Sequence, residues 1–213
     1  LLLRLIEPTS GKVLFKGVDL TSLPEREMRK LRRKMQIIFQ NPYESLNPSM
    51  TIYSCIAEPI RVQKLAHTTE EVDEKVRKAL EEVGLVPPEE FLYRFPHELS
   101  GGQRQRVAIA RAFILEPEFV VADEPVSMLD ASVRGRVLDL MMSLVKKFNC
   151  GFLYITHDIA LSRYICDRIA VMYLGKIVEK GPTEDIVKNP LHPYTKALIG
   201  FVPVPDPAAR RNK

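Results

Sequence analysis

The chain has 213 residues, of which 46% are hydrophobic and 27% charged, and its formal net charge is +4. This composition is ordinary for a globular domain and excludes a chain that is disordered throughout. The charges are mixed, so the mildly basic balance does not indicate a nucleic-acid partner. No run of about 18 apolar residues is present, so we expect no membrane-spanning helix. The cysteines lack metal-ligand spacing, and we expect reduced thiols at Cys55, Cys150 and Cys166.

Residues 1–40 are predicted to form part of an α/β domain. Residues 25–34 are dense in Arg, Lys and Glu, which indicates a solvated helix. The apolar run of residues 35–39 predicts a strand that leads to Gln40. Asn41-Pro42 follows directly and ends this strand, because proline interrupts regular pairing.

Residues 41–97 are predicted to form a helical subdomain inserted into the α/β domain. Its clearest helix follows Thr68, which makes a capping-box pattern with Glu71 three residues later. Apolar residues then recur at helical spacing. They are Val72, Val76, Ala79, Leu80 and Val83.

Residues 98–188 are predicted to complete the α/β core. An alanine-rich helix over residues 107–115 is followed by two short, wholly apolar runs, residues 119–122 and 152–155, with a helix between them. Such runs are typical of strands that are covered on both faces, so we expect a mostly parallel sheet. Residues 189–213 are predicted to be a C-terminal extension.

Polar residues follow both apolar strands. The first strand leads into Asp123-Glu124-Pro125, and the second leads into Thr156-His157-Asp158. Ligands bind beyond the carboxyl ends of parallel strands, so neighbouring strands would bring these side chains to one edge. There an Asp can hold magnesium through water and a Glu can orient an attacking water. Alternatively, Asp123-Glu124 only starts a loop, and His157 is an ordinary surface histidine.

The helix over residues 107–115 is preceded by Leu99-Ser100-Gly101-Gly102-Gln103. Two glycines allow a ligand to approach the backbone closely, and a helix start offers N–H groups and positive dipole charge to phosphate oxygens. Taken alone, a Gly-Gly helix start is more often a turn than a binding site.

The complete string resembles the signature of the ABC ATPase family, and further motifs follow in the family's order. The resemblance covers residues 35–160. Residues 119–124 resemble the Walker B strand with its Glu, and residues 127–130 resemble the D-loop, with Met128 where Ala is usual. His157 resembles the switch histidine, and Gln40 resembles the Q-loop glutamine. The resemblance implies the fold of a P-loop NTPase and the binding of ATP and Mg²⁺.

The resemblance also implies a role for each matching residue. Asp123 would hold Mg²⁺ through water, and Glu124 would act as general base. His157 would contact the γ-phosphate. Gln40 would contact Mg²⁺ and link the site to a membrane partner.

The remaining motif residues would act on a second copy of the cassette. Ser100, Gly101, Gly102 and Gln103 would bind the γ-phosphate of ATP held by the opposite subunit. Asp130 would cross the dimer interface. Two cassettes would thus enclose two ATP molecules between them.

The phosphate-binding loop, Gly-x-x-x-x-Gly-Lys-[Ser/Thr], does not occur in the printed residues. Gly11-Lys12 and Gly175-Lys176 are each followed by a residue other than Ser or Thr. The resemblance places this loop and its preceding strand upstream of Leu1. We therefore expect an N-terminally truncated chain that neither binds ATP tightly nor hydrolyses it alone.

Two proline-rich stretches resemble the oligopeptide/dipeptide importer branch of the family. They are residues 41–48 and 189–198. This resemblance implies transmembrane permease subunits and a second ABC ATPase subunit as partners, with an extracytoplasmic solute-binding protein acting indirectly. It implies a location at the cytoplasmic face of the membrane. Tyr43, Leu46 and Met50 are candidates for permease contacts or for core positions.

Two other functions remain open. One is a non-hydrolysing ABC remnant that acts only through partner binding. The other is a soluble ABC ATPase of DNA repair or translation, which would predict a coiled coil or a zinc module between Gln40 and Ser100; neither is present. No cysteine follows Cys166, so we also expect no C-terminal iron–sulfur cluster.

Overall fold

The structure, a computed structural model, describes residues 1–200 and divides into two compact units, Leu1–Ile155 and Thr156–Lys213. Residues 201–213, which belong to the predicted C-terminal extension, lie outside the described residues. The predicted division into four segments stays a prediction. Among the described residues, no helix combines the length and the hydropathy that crossing a bilayer requires.

The first unit is built around a three-stranded parallel sheet with the order β3-β4-β5. The strands are β3 (Met35–Ile38), β4 (Phe119–Asp123) and β5 (Gly151–Ile155). Val120 to Ala122 are buried, as expected for a central strand between two neighbours. The prediction of a parallel sheet is confirmed, and the two apolar runs are neighbours in it, with Asp123 paired to Ile155 at the ends of β4 and β5. The expectation that both runs are covered on both faces is wrong for β5, which is only partly buried because it has a single strand neighbour among the described residues.

Shorter elements precede and flank this sheet. They are the antiparallel pair β1 (Leu14–Phe15) and β2 (Val18–Asp19), a 3-10 turn (Leu20–Ser22) and α1 (Glu25–Arg32). Met28 of α1 is fully buried and belongs to a cluster with Leu3, Leu20, Met35 and Val121. The charged face of α1 stays in solvent, as the sequence predicts.

Helices alone fill the chain between β3 and β4. They are α2 (Pro42–Ser45), α3 (Ile52–Val62), α4 (Thr69–Glu82), α5 (Glu89–Leu92), a 3-10 turn (Pro96–Glu98) and α6 (Gly101–Phe113). Thr68 caps α4 through a hydrogen bond from Glu71 N, as predicted. The Glu71 carboxylate, however, accepts from His67 N at 2.6 Å, one residue before the position that a capping box uses. Helix α7 (Ala131–Phe148) connects β4 to β5.

Up to residue 200, the second unit contains an antiparallel hairpin and three helices. They are β6 (Arg168–Tyr173), β7 (Lys176–Pro182), α8 (Ile159–Ile165), α9 (Thr183–Lys188) and α10 (Pro193–Gly200). Glu179 of β7 accepts hydrogen bonds from Leu191 N at 2.8 Å and His192 N at 3.0 Å. The bond from Leu191 is the main cause that lowers the pKa of Glu179. This carboxylate therefore anchors the start of the proline-rich C-terminal motif to the hairpin.

Candidate functional site

Gln40 and Glu124 meet at the carboxyl edge of the parallel sheet. Ile38 pairs with Ala122, and each site residue lies two positions beyond its member of that pair. The equal offset places the two side chains side by side, because paired parallel strands advance in step. The Gln40 amide Nε2 donates to Glu124 Oε2 at 3.0 Å. The structure therefore brings together two residues that the sequence assigned to separate motifs.

The backbone at Glu124 has an uncommon conformation. Its φ of 41° lies in the left-handed region, which costs a non-glycine residue about 1–3 kcal/mol. Three hydrogen bonds hold this turn: Glu124 N donates to Ile155 O at 2.9 Å, and Ser127 N and Oγ donate to Glu124 O. Backbone strain of this kind concentrates at functional sites, and here it fixes the direction in which the carboxylate leaves β4.

Asp123 and His157 are placed differently with respect to this pair. Asp123 is the last residue of β4, is partly buried and directly precedes Glu124 in the chain. His157 follows β5 by two residues and belongs to the second unit. Its role stays a prediction.

Ser100 is the N-cap of α6. Its Oγ accepts from Gln103 N at 3.3 Å, and Gln103 Oε1 accepts from Ser100 N at 2.9 Å. This reciprocal pair is a capping box, in which the signature side chains stabilise the helix start. The capping box occupies the N–H groups of Ser100 and Gln103, so those of Gly101 and Gly102, which have no partner within the helix, remain available to an anion. Ser100 is exposed.

The glycines at the start of α6 pack against the segment that leads into α7. A Cβ atom added at Gly101 would lie 3.7 Å from Leu129 Cδ2, and one at Gly102 would lie 2.8 Å from Val133 Cγ1. Asp130, the exposed N-cap of α7, lies between these two contact residues in sequence, and its side chain makes no capping hydrogen bond. The predicted signature and D-loop segments are therefore in contact within one chain.

This packing predicts different outcomes for the two glycines. Gly102→Ala should have a free energy of unfolding about 1–3 kcal/mol lower than Gly101→Ala, because only the former forces Val133 to move. Denaturant unfolding of both variants measures the difference. Equal free energies of unfolding would contradict the prediction, because they would show that Val133 moves away without a measurable loss of stability.

Two arginines that the sequence did not single out hold the site loops. Arg134 donates to Leu129 O at 2.8 Å and to Ser127 O at 3.3 Å, and thus fixes the loop between β4 and α7. Arg104 donates to the carbonyls of Pro96 and Leu99 ahead of Ser100. Each arginine lies four residues after the N-cap of its helix, Ser100 for Arg104 and Asp130 for Arg134, and from there it reaches back to the loop carbonyls.

Two sequence models of known protein families match parts of the chain. The sequence model of the ABC transporter family matches residues 1–127. A second model, described as the C-terminal region of oligopeptide/dipeptide transporters, matches residues 178–213.

Individual relatives extend the match over nearly the whole chain. The chain is 48% identical over 213 residues to the oligopeptide transport ATP-binding protein OppF of Bacillus subtilis. This alignment covers 100% of this chain and 69% of OppF. It is 48% identical to AppF of the same organism, with 95% of this chain and 61% of AppF covered. A Brucella ovis protein whose name includes "peptide import ATP-binding protein" is 49% identical, and the chain spans 66% of its length.

Two solved structures show the same fold. The ATP-binding cassette MJ0796, a dimer in a post-hydrolysis state bound to ADP and Pi, superposes with a TM-score of 0.74 at 29% identity, covering 84% of this chain and 76% of that one. CbiO1 of Clostridium perfringens, part of the ABC transporter complex CbiONQ, superposes with a TM-score of 0.75 at 27% identity, covering 87% of this chain and 71% of CbiO1. The sheet and helices described above are thus those of an ABC ATPase domain, and the chain belongs to the ABC transporter family.

Proposed function

We propose that this chain is part of the ATP-hydrolysing motor subunit of an ABC importer for oligopeptides or dipeptides. The observation that carries the proposal is the 3.0 Å contact between Gln40 and Glu124 at the carboxyl edge of the sheet. A carboxylate aimed by a strained turn and contacted by an amide is suited to orient a water molecule for attack on a phosphate. Glu124 is the general base in this proposal.

Asp123 and Gln40 are the proposed residues for Mg²⁺. Among the described residues, no group of three His, Cys, Asp or Glu side chains could hold a metal ion by itself. One carboxylate at the end of β4, together with the amide of Gln40, fits Mg²⁺, which in nucleotide sites takes one or two carboxylates and completes its shell with water and phosphate oxygens. When bound, the ion would neutralise charge on the phosphates, while Glu124 accepts the proton of the water. His157 is proposed to contact the γ-phosphate.

Ser100, Gly101, Gly102 and Gln103 are proposed to bind the γ-phosphate of ATP held by a second subunit. The exposed Ser100 hydroxyl and the positive end of the α6 dipole supply donors for an anion. Asp130 is exposed beside this helix start and is proposed to cross the same interface. The dimeric state of the MJ0796 structure bound to ADP and Pi supports this arrangement.

The proposed partners are transmembrane permease subunits, with a solute-binding protein acting indirectly, at the cytoplasmic face of a membrane. The names of OppF and AppF support a peptide substrate, and the CbiONQ complex supports a permease partner. Tyr43 is 60% exposed and remains a candidate permease contact, whereas Leu46 is 2% exposed and is a core residue. Met50 is partly buried.

Reconstitution tests the proposed function against its two alternatives. The full-length subunit and its permease are placed in liposomes with peptide-loaded binding protein, and uptake of labelled peptide is measured with ATP or with a non-hydrolysable analogue. Peptide uptake and phosphate release that occur with ATP but not with the analogue support the importer. Phosphate release that is independent of permease and peptide would favour a soluble ATPase, and the absence of phosphate release under every condition would favour a remnant.

A further inference from the structure

The guanidinium of Arg104 is buried at the start of α6 and forms no ion pair with any carboxylate whose position the structure describes. The residue is 3% exposed. Its Nε donates to Pro96 O at 2.7 Å, and its Nη2 donates to Leu99 O. Its Nη1 is buried and has no hydrogen-bond partner in the described part of the chain. Burial lowers the pKa of this group, which reflects the cost of keeping its charge away from water.

An aromatic ring covers the remaining face of this cation. Arg104 Cζ lies 3.6 Å from the centroid of the Tyr43 ring, which is close for a cation–π contact. Tyr43 itself is exposed, so its ring separates the guanidinium from solvent. Without the Tyr43 ring, one face of the Arg104 guanidinium would be open to solvent, and the side chain would be held less firmly in one position.

Tyr43 is connected directly to the segment that carries Gln40. It lies in α2, three residues after Gln40, and its N–H donates to the N-cap Asn41 Oδ1 at 3.0 Å. The other end of α2 is also held by α6, since Arg111 donates to Ser45 O at 2.9 Å. A shift of α2 therefore moves the ring against Arg104.

On the other side, Arg104 holds the carbonyl of the residue directly before Ser100. The backbone of Ser100 leaves the loop at this point, with φ of −65° and ψ of 161°, and its hydroxyl then caps α6. The position of the Leu99 carbonyl therefore sets the position of the Ser100 hydroxyl.

We propose that Arg104, covered by Tyr43, is a positioning residue that holds Ser100 in the geometry needed to bind the nucleotide of a second subunit. It links the Gln40 segment to the signature loop within one chain. The inference rests on the proposed function, because only an ATP-enclosing dimer uses Ser100 in this way. The matched substitutions are Tyr43→Leu, which removes the ring, and Tyr43→Phe, which retains it.

The test uses the full-length subunit carrying Glu124→Gln. This substitution blocks ATP hydrolysis, so that hydrolysis does not dissociate the dimer during the measurement. Sedimentation velocity measures dimerisation with MgATP, and titration with a fluorescent ATP analogue measures nucleotide affinity of the monomer. We expect Tyr43→Leu to weaken dimerisation about tenfold, because the Ser100 hydroxyl is no longer held in place and must be ordered in both subunits when the dimer forms. The affinity of the monomer for nucleotide should change less than about twofold. Tyr43→Phe should dimerise as the parent does. Arg104→Lys should weaken dimerisation as Tyr43→Leu does, because lysine cannot bind both carbonyls in a planar fork.

Three outcomes would contradict the inference. Equal dimerisation of Tyr43→Leu and Tyr43→Phe would show that the ring does not position Ser100. A parallel loss of monomer nucleotide affinity in Tyr43→Leu would indicate a general structural role. A parent that binds the nucleotide but does not dimerise with MgATP would overturn the proposed function, and the inference with it.

Discussion

Replacing Glu124 by Gln in the full-length subunit should lower kcat for ATP hydrolysis by about 100-fold or more, because an amide cannot accept the proton of the attacking water. Gln has the size and shape of Glu, and its oxygen can still accept a hydrogen bond from Gln40. ATP affinity should therefore change little, and the variant should accumulate as an ATP-bound dimer. Phosphate release and retained nucleotide after gel filtration measure the two effects.

A matched control separates this effect from a simple change of charge. Asp139→Asn removes an exposed carboxylate on α7, outside the residues assigned to the site, and should leave kcat within about twofold, since surface substitutions are usually small in effect. If Glu124→Gln hydrolysed ATP as fast as this control, Glu124 would not be the general base. Asp123, its neighbour at the end of β4, would then be the next carboxylate to test.

Gln40→Ala should lower kcat about 10- to 100-fold, because the Glu124 carboxylate loses the amide that it contacts at 3.0 Å. A hydrogen bond to a charged group is worth about 1.5–3 kcal/mol, which corresponds to this range of rates. The same substitution removes a proposed Mg²⁺ contact, so the Mg²⁺ concentration at half-maximal rate should also rise. Steady-state phosphate release over a Mg²⁺ titration measures both.

Gln36→Ala is the matched control for Gln40. Gln36 lies on the same strand, but its amide donates to the backbone carbonyl of Arg32 at 2.6 Å instead of to a carboxylate. Its substitution should leave kcat and the Mg²⁺ dependence near those of the parent. A loss of activity of the same size in both variants would mean that Gln40 acts through the stability of β3 and not through Glu124.

The comparison of Gln40 with Thr68 shows where sequence reasoning succeeds and where it stops. The cap of α4 was predictable because the Thr68 hydroxyl and its donor are three residues apart and share one helix turn. The contact between Gln40 and Glu124 joins positions 84 residues apart. Both residues were candidates from their motifs, but their adjacency depends on which strands are neighbours.

Arg104 shows the same limit of sequence reasoning more clearly. Arg104 is one of many basic residues in the sequence, and nothing in its neighbours indicates a buried guanidinium under an aromatic ring. Its partner Tyr43 belongs to a different helix, and the two meet because α2 and α6 pack together. Side-chain burial and pairing of this kind follow from tertiary packing, which local periodicity does not encode.

The sequence by itself determined the apolar runs that became β3, β4 and β5, the capped start of α4 and the residues able to do phosphate chemistry. These features depend on residues close together in the chain, where hydrogen-bonding geometry and side-chain periodicity act directly. Only the tertiary structure decided that Gln40 contacts Glu124, that Gly102 packs on Val133 and that Arg104 is buried under Tyr43. Those pairings require strand order, register and helix packing, which arise when the whole unit buries its apolar surface at once.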